Sequence, residues 1–354
     1  MSDSAVRIDD PGDLIAAIPS ILSFPPARSL VVIMLRHREV TGRDRETVIE
    51  AVARFDLGPD QEGLTRAAVR ACARDADAVM IVLVDDNTAP EGAETRRRLL
   101  HLLREGFVDT SVPVAGAWVT PQIEAGAQWS AIMNPAIAGA LPDPMSGAVA
   151  AAVAASGGPI RRSRGEIAAL IDLDPAAATQ LDAVLPAALD EVHQLWCVTG
   201  DRGELDAARR EAIEFILDRI RGIRRGEQPS PDDLARIALA VADGVVGVIM
   251  LAVPAGEHAH AAEALWLQLT RCLRGAARAE PAALLAYSAY LRGDGALAGT
   301  AIAAAFAADP EHPLADLLAD ALRDGYPHST IRALAHHGFD TATHLGVDLR
   351  HAST

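Results

Sequence analysis

The chain has 354 residues, half of them apolar and 4% aromatic, and it carries a formal net charge of −16. This acidic balance argues against a general nucleic-acid binder, because neutralising phosphates requires a basic surface. All 32 positively charged side chains are arginine, which excludes a Walker A lysine, a Schiff-base lysine and a lysine-based kinase clamp.

Residues 1–135 predict a mixed α/β domain. Apolar or alternating runs predict five strands, at 29–35, 52–57, 78–84, 112–119 and 128–133. Helical spacing of apolar residues predicts helices at 11–21, 62–75 and 92–106. Strands separated by helices favour partly parallel pairing, with an antiparallel hairpin at either end of the sheet.

Two candidate ligand positions lie in this first domain. Asp85 and Asp86 directly follow a predicted strand in the stretch VLVDDN, and ligands gather at the carboxyl ends of strands in open α/β sheets. They are candidates for holding Mg²⁺ or a ribose, and the alternative is an acidic loop or helix cap. Trp129 falls on a predicted hairpin, where it is either a core residue or a pocket wall.

Residues 136–173 predict a connecting helical segment with an arginine-rich turn. Arg161, Arg162 and Arg164 stand in SGGPIRRSRGE, between a glycine break and a helix start. Guanidinium forks and a helix N-terminus both bind phosphate or carboxylate groups, so these arginines are a candidate anion site. The alternative is structural: Ser163 and Glu166 have the spacing of a capping box.

Residues 174–354 predict an all-helical domain. Helices are expected at 175–198, 203–223, 231–252, 257–274, 281–292, 296–308, 314–324 and near 329–336. Ser230 followed by Pro231 and Asp233 is typical of a helix start. The apolar run 237–253 is shorter than the roughly 20 residues that span a bilayer, so we interpret it as a buried helix.

The stretch 290–318, YLRGDGALAGTAIAAAFAADPEHPLADLL, resembles the second half of a tetratricopeptide-like repeat. The pattern consists of small or apolar residues before a closing proline, at Ala298, Ile302, Ala305 and Pro310. The small residues would let the second helix of a hairpin nest against the first. Because the spacing occurs once, the alternatives are a structural hairpin and a groove for a partner peptide.

The remaining polar residues give no recognisable catalytic motif, so no catalytic residue is assigned. The sequence has no HExxH and no GxSxG. His260 and Glu263 share a helical face but are too few for a metal site, and Gly338 argues against a continuous helix near the C-terminus. We therefore expect no metal and no cofactor. The three separated cysteines indicate reduced thiols, and the acidic N-terminus does not resemble a signal peptide, so we expect a cytoplasmic protein.

Three blocks in this order, at 13–35, 141–171 and 284–318, resemble the actinobacterial domain-of-unknown-function family 4192. The first begins DLIAAIPSIL, the second LPDPMSGAVA and the third LLAYSAYLRG. The resemblance covers nearly the whole chain. It implies a cytoplasmic actinobacterial protein and implies no activity.

The sequence thus predicts an α+β protein with a mixed-sheet domain followed by a helical-hairpin domain. The favoured function is a non-catalytic adaptor or regulatory module that binds a protein partner or a second copy of itself. The alternative is an enzyme or sensor that binds an anionic small molecule between the two domains. General nucleic-acid binding and membrane insertion are not expected.

Overall fold

A computed structural model describes residues 8, 10–39, 45–73, 76–87, 90–155, 164–198, 202–324, 326 and 328–349. The chain divides into two compact units. The sheet unit comprises Met1–Glu166 with Arg323–Gly325, and the helical unit comprises Ile167–Leu322 with Tyr326–Thr354. This division confirms the α+β class, since every strand among the described residues lies in the first unit.

The sheet unit contains a six-stranded mixed sheet with the order β2-β1-β3-β4-β5-β6. The strands are β1 (Ser29–Glu39), β2 (Arg45–Asp56), β3 (Ala78–Val84), β4 (Val114–Thr120), β5 (Gln128–Ala131) and β6 (Ala138–Ala140). Only β3 and β4 pair in parallel, and the other neighbours are antiparallel. The expected hairpin at either end of a partly parallel sheet is confirmed.

Strand alternation places apolar side chains on both faces of this sheet. On β1, Leu30 and Val32 point into one core cluster, while Val31 and Ile33 point into the other. Helices α2 (Gln61–Cys72) and α3 (Pro90–Asp109) cover the first face, and α1 (Pro11–Leu22) covers the second. Burial on both faces explains why β1 and β3 read as continuous apolar runs.

Strand β6 was not predicted from the sequence. Its residues, Ala138 to Ala140, include no β-branched or aromatic side chain, so they gave no strand signal. The sheet therefore extends past residue 135, into the stretch expected to be a helical connection. Two helices follow β6, namely α4 (Ala148–Ala155) and α5 (Arg164–Ile171).

The helical unit contains no strand among its described residues. Its helices are α6 (Pro175–Val198), α7 (Arg202–Arg224), α8 (Pro231–Val241), α9 (Gly244–Met250), α10 (Ala259–Cys272), α11 (Ala279–Arg292), α12 (Gly295–Ala308), α13 (Pro313–Asp324) and α14 (His328–Leu345). The predicted start of α8 is confirmed: Ser230 and Asp233 form a reciprocal capping box.

The sequence suggested one helix over the apolar run 237–253, but the structure divides this run into two helices. Helix α8 ends at Val241, and the chain bends by 104° before the next helical stretch begins at Gly244. Asp243 causes the break, because its carboxylate accepts the backbone N–H groups of Val245 and Val246 and so starts α9. Among the described residues no single helix is long and apolar enough to cross a membrane, although this bent pair passes that test jointly.

The C-terminal helix is longer than expected. Gly338 was taken to end a short helix, but α14 runs through it from His328 to Leu345. A Cβ at Gly338 would lie 2.8 Å from the carbonyl oxygen of Val248 and 2.9 Å from the amide nitrogen of Ala252. Glycine is therefore present because α14 approaches the backbone of α9 closely.

Candidate functional site

Asp85 lies at the carboxyl end of β3, as predicted, and its backbone and side chain are hydrogen-bonded to other residues of the sheet unit. Its backbone N–H donates to the carbonyl of Thr120 on the parallel strand β4. Its carboxylate accepts the Asn87 N–H at 3.2 Å and a guanidinium N–H of Arg96 at 2.9 Å. The two charged side chains are only 13% and 16% exposed. This pairing gives Asp85 a structural role in joining β3 to α3.

Arg96 faces inward from α3 rather than toward solvent. Its guanidinium is largely buried and contacts both the carboxylate of Asp85 and the carbonyl of Asn87. Asp86, the second acidic candidate, is exposed. No group of three or more His, Cys, Asp or Glu side chains in the described part of the chain is arranged to hold a metal ion.

Trp129 is a core residue of the sheet unit. It is 6% exposed and packs in the cluster that includes Ile15, Ile18 and Ile33. A Cβ placed at Gly12 would lie 2.9 Å from the indole nitrogen of Trp129, and a Cβ placed at Gly139 would lie 3.0 Å from it. The two glycines therefore admit the indole ring between α1 and β6.

The candidate anion-binding arginines fall at the edge of what the structure describes. Arg161 and Arg162 lie outside the described residues. Arg164 is the first residue of α5, and its side chain is also outside the description. The arginine-rich turn therefore stays a sequence prediction.

The repeat-like stretch forms an antiparallel hairpin of α11 and α12. Gly293 ends α11 with a φ of 83°, and Asp294 starts α12 by accepting the Leu297 N–H. The predicted nesting is confirmed, because Ala298 and Ala305 are both 0% exposed. Helix α11 is buried along nearly its whole length, so little of its surface is open to a partner.

The other side of α12 forms a small apolar surface, here termed the α12–α13 face. No residue of α12 carries a charge. Gly295, Ala303 and Ala307 are exposed along the helix and Gly299 is half-buried between them. Leu322 of α13 is 38% exposed and reaches the same line, lying 3.4 Å from a Cβ placed at Gly299.

A cavity of about 270 Å³ lies elsewhere in the helical unit. Its walls come from a short turn before α10, the start of α10, the C-terminal part of α11 and the start of α14. The polar side chains lining it are His260, Glu263, Ser288, Arg292 and Arg332. The sequence singled out His260 and Glu263, but it missed both arginines, which lie on other helices.

Glu263 is engaged across this cavity rather than free to bind a metal. Its carboxylate accepts two N–H groups of Arg292, at 2.9 Å and 3.1 Å, and Arg292 also donates to Asp294 at 3.2 Å. Desolvation by burial lowers the pKa of Arg292. The hydrogen bonds and charges of Glu263 and Asp294 outweigh it and raise that pKa above its ordinary value.

Comparison with known proteins gives one match. The sequence pattern of the family described as Domain of unknown function (DUF4192) matches residues 11–329, which is nearly the whole chain. No curated protein and no solved structure matches the chain.

Proposed function

We propose that this chain, which belongs to the DUF4192 family, is a non-catalytic adaptor or regulatory protein that binds a protein partner through its helical unit. The partner is another protein or a second copy of the chain. The surface that binds it is the α12–α13 face. The proposal places the protein in the cytoplasm of an actinobacterium. The two cysteines whose side chains are described, Cys72 and Cys272, support this location, because both are free thiols, as is typical of a reducing compartment.

One observation carries this proposal. Helix α12 has 14 residues without a single charge, in a chain whose residues are 23% charged. One side of the helix packs on α11, but the exposed side, at Ala303 and Ala307, is as apolar as the buried one. Interface cores are depleted of charged residues and enriched in close packing, so this surface has the character of a binding face.

The shape of the α12–α13 face favours a helix or strand packed closely on it. Gly295, Gly299 and Ala303 recur every four residues, which aligns them along one side of α12. Leu322 of α13 already packs over Gly295 and Gly299, so the place where a small side chain leaves room for a partner backbone is around Ala303. Leu322 stands at one end of the line and supplies a larger apolar contact.

The test is affinity purification from the native host with three tagged forms: the wild type, Ala303→Arg and Ala207→Arg. Ala303 is exposed on the α12–α13 face, and Ala207 is an exposed alanine of α7, so both substitutions add the same charge to a helix surface. The proposal expects one partner, or the chain itself, to be recovered with the wild type and with Ala207→Arg and lost with Ala303→Arg. Rebinding of the purified partner then gives the loss as a ratio of Kd values.

Sedimentation equilibrium of the purified chain distinguishes self-association from binding to another protein. A dimer that dissociates in Ala303→Arg and persists in Ala207→Arg identifies a second copy as the partner. Equal recovery of every partner by all three forms, together with a monomeric wild type, would contradict the proposal.

A further inference from the structure

The cavity beside α10 is lined by more basic than acidic side chains. Two guanidinium groups and one imidazole line it, from Arg292, Arg332 and His260, against the single carboxylate of Glu263. The whole chain has the opposite balance, with 48 acidic and 32 basic side chains. Arg292 is matched by Glu263 and by the buried Asp294 beside it, so the positive charge left to attract an anion to the cavity is that of Arg332.

The charged side chains that line this cavity differ in whether they pair with an opposite charge. Glu263 is neutralised by its two hydrogen bonds with Arg292. Arg332 is exposed, and it forms no ion pair with a carboxylate in the part of the chain that the structure describes. Its guanidinium is therefore available to a ligand, as a planar fork that matches a carboxylate or a phosphate.

Helix α10 adds a second source of positive potential. Its first residues, Ala259 and His260, line the cavity, and its N-cap residue His258 supplies no side-chain hydrogen bond to the first turn. The N–H groups of a first helical turn have no partner within the helix, and the helix dipole favours an anion beside them. At 14 residues, α10 is long enough for this effect.

We propose that this cavity binds the carboxylate or phosphate group of a small molecule, with Arg332 as the principal contact. The Arg292–Glu263 pair forms a fixed wall, and the start of α10 supports the bound charge. The volume of about 270 Å³ is slightly below the usual range of ligand cavities, about 300 to 1,000 Å³. The ligand is therefore compact. This site is separate in its residues from the α12–α13 face, so either proposal can fail without the other.

The test is calorimetric titration of the full chain with inorganic phosphate and with succinate, at constant ionic strength. The variants are Arg332→Gln, Arg332→Glu and the control Arg225→Gln. Arg225 is a surface arginine with a 57% exposed side chain that does not line the cavity, so its loss removes the same charge from the protein as a whole.

We expect saturable binding of at least one anion by the wild type and by Arg225→Gln. Binding should weaken about tenfold or more in Arg332→Gln, because a charge-assisted hydrogen bond is worth about 1.5–3 kcal/mol, and it should be lost in Arg332→Glu. Binding of phosphate alone identifies a phosphate ligand, and binding of succinate alone identifies a carboxylate. Absence of saturable binding of either anion by the wild type, or equal binding by Arg332→Gln, would overturn the proposal.

Discussion

Three aspartates of the chain each combine a local turn with an arginine partner. Asp85 accepts the Asn87 N–H and pairs with Arg96. Asp243 starts α9 and pairs with Arg209, while Asp294 starts α12 and pairs with Arg292. The carboxylate satisfies backbone donors, and the guanidinium neutralises its charge from a second element. In a lysine-free chain, this fork is the available way to stabilise a poorly solvated carboxylate.

Replacing Asp243 separates these two roles. Its side chain is 5% exposed, and it accepts Nε and Nη2 of Arg209 as well as two N–H groups of α9. Asp243→Asn keeps a cap acceptor and loses the charge, whereas Asp243→Ala loses both. We expect urea unfolding to show a loss of about 1–2 kcal/mol for Asn and about 3 kcal/mol or more for Ala. Equal stability of Asp243→Ala and the wild type would contradict this assignment.

The buried thiol of Cys72 makes the fold sensitive to alkali. Desolvation by burial raises the pKa of Cys72 from 9.0 to about 12. The unfolded state therefore loses its thiol proton first, and the contribution of Cys72 to stability, intact below about pH 9, declines between pH 9 and 12. Compared with Cys72→Ala, the wild type should show a steeper loss of stability in this window. Parallel stability curves for the two proteins would show that the thiol does not ionise on unfolding.

At the scale of elements, the α11–α12 hairpin has two unlike sides. Ala298 and Ala305 pack against α11 and are inaccessible to solvent, whereas Ala303, two residues before Ala305, is exposed on the other side of the helix. The sequence predicted the nesting of the two helices, because small residues at a fixed spacing indicate close approach. It did not predict that α11 is itself buried on its other sides, since that depends on α10 and α14, which come from distant parts of the chain.

A matched pair of substitutions tests this difference between the two sides of α12. Ala305→Leu inserts three carbon atoms into a filled interface and should lower the free energy of unfolding by about 1–3 kcal/mol. Ala303→Leu makes the same change on the exposed side and should alter it by less than about 0.5 kcal/mol. Denaturant unfolding of both variants measures the two values. Similar losses at the two positions would show that α12 is packed on both sides.

The contact between α9 and α14 depends on one missing side chain. Gly338→Ala raises helix propensity by about 1 kcal/mol, but its Cβ would lie 2.8 Å from the Val248 carbonyl oxygen. We therefore expect a net destabilisation of about 1–3 kcal/mol, since backbone atoms cannot yield to the new group. Gly244→Ala is the control, because a Cβ at Gly244 meets nothing within 4 Å. A stabilised Gly338→Ala protein would show that the two helices do not touch there.

Local patterns predicted most of the elements, and contacts between distant residues account for the differences. The sequence predicted the strand Ala78–Val84 and the capped start of α8 correctly. Burial on both faces leaves a continuous apolar run, and a helix cap leaves a short motif, so both can be recognised from neighbouring residues alone. Strand β6 was missed because it consists of alanine and glycine, and Gly139 lies where a Cβ would contact the Trp129 ring. The partner of Asp85 was missed because Arg96 lies 11 residues away on the next helix, and the sequence does not show which side of that helix turns inward.

At the scale of the whole molecule, the two units differ in what they offer to a ligand. In the sheet unit, the acidic candidate Asp85 is engaged in structure and Trp129 is part of the core. In the helical unit, the uncharged side of α12 and the Arg332 cavity remain open to solvent. The open apolar side of α12 and the open cavity support a binding role for the helical unit.

Site-specific photo-crosslinking in the native host tests whether the exposed side of α12 touches a protein partner. A photoreactive phenylalanine analogue replaces Ala303 in one strain and Ala207 in another, since both alanines are exposed on helices of the same unit. We expect the analogue at position 303 to form a discrete cross-link with one protein or with a second copy of the chain, and the analogue at position 207 to form none. No product from position 303, or the same products from both positions, would contradict it.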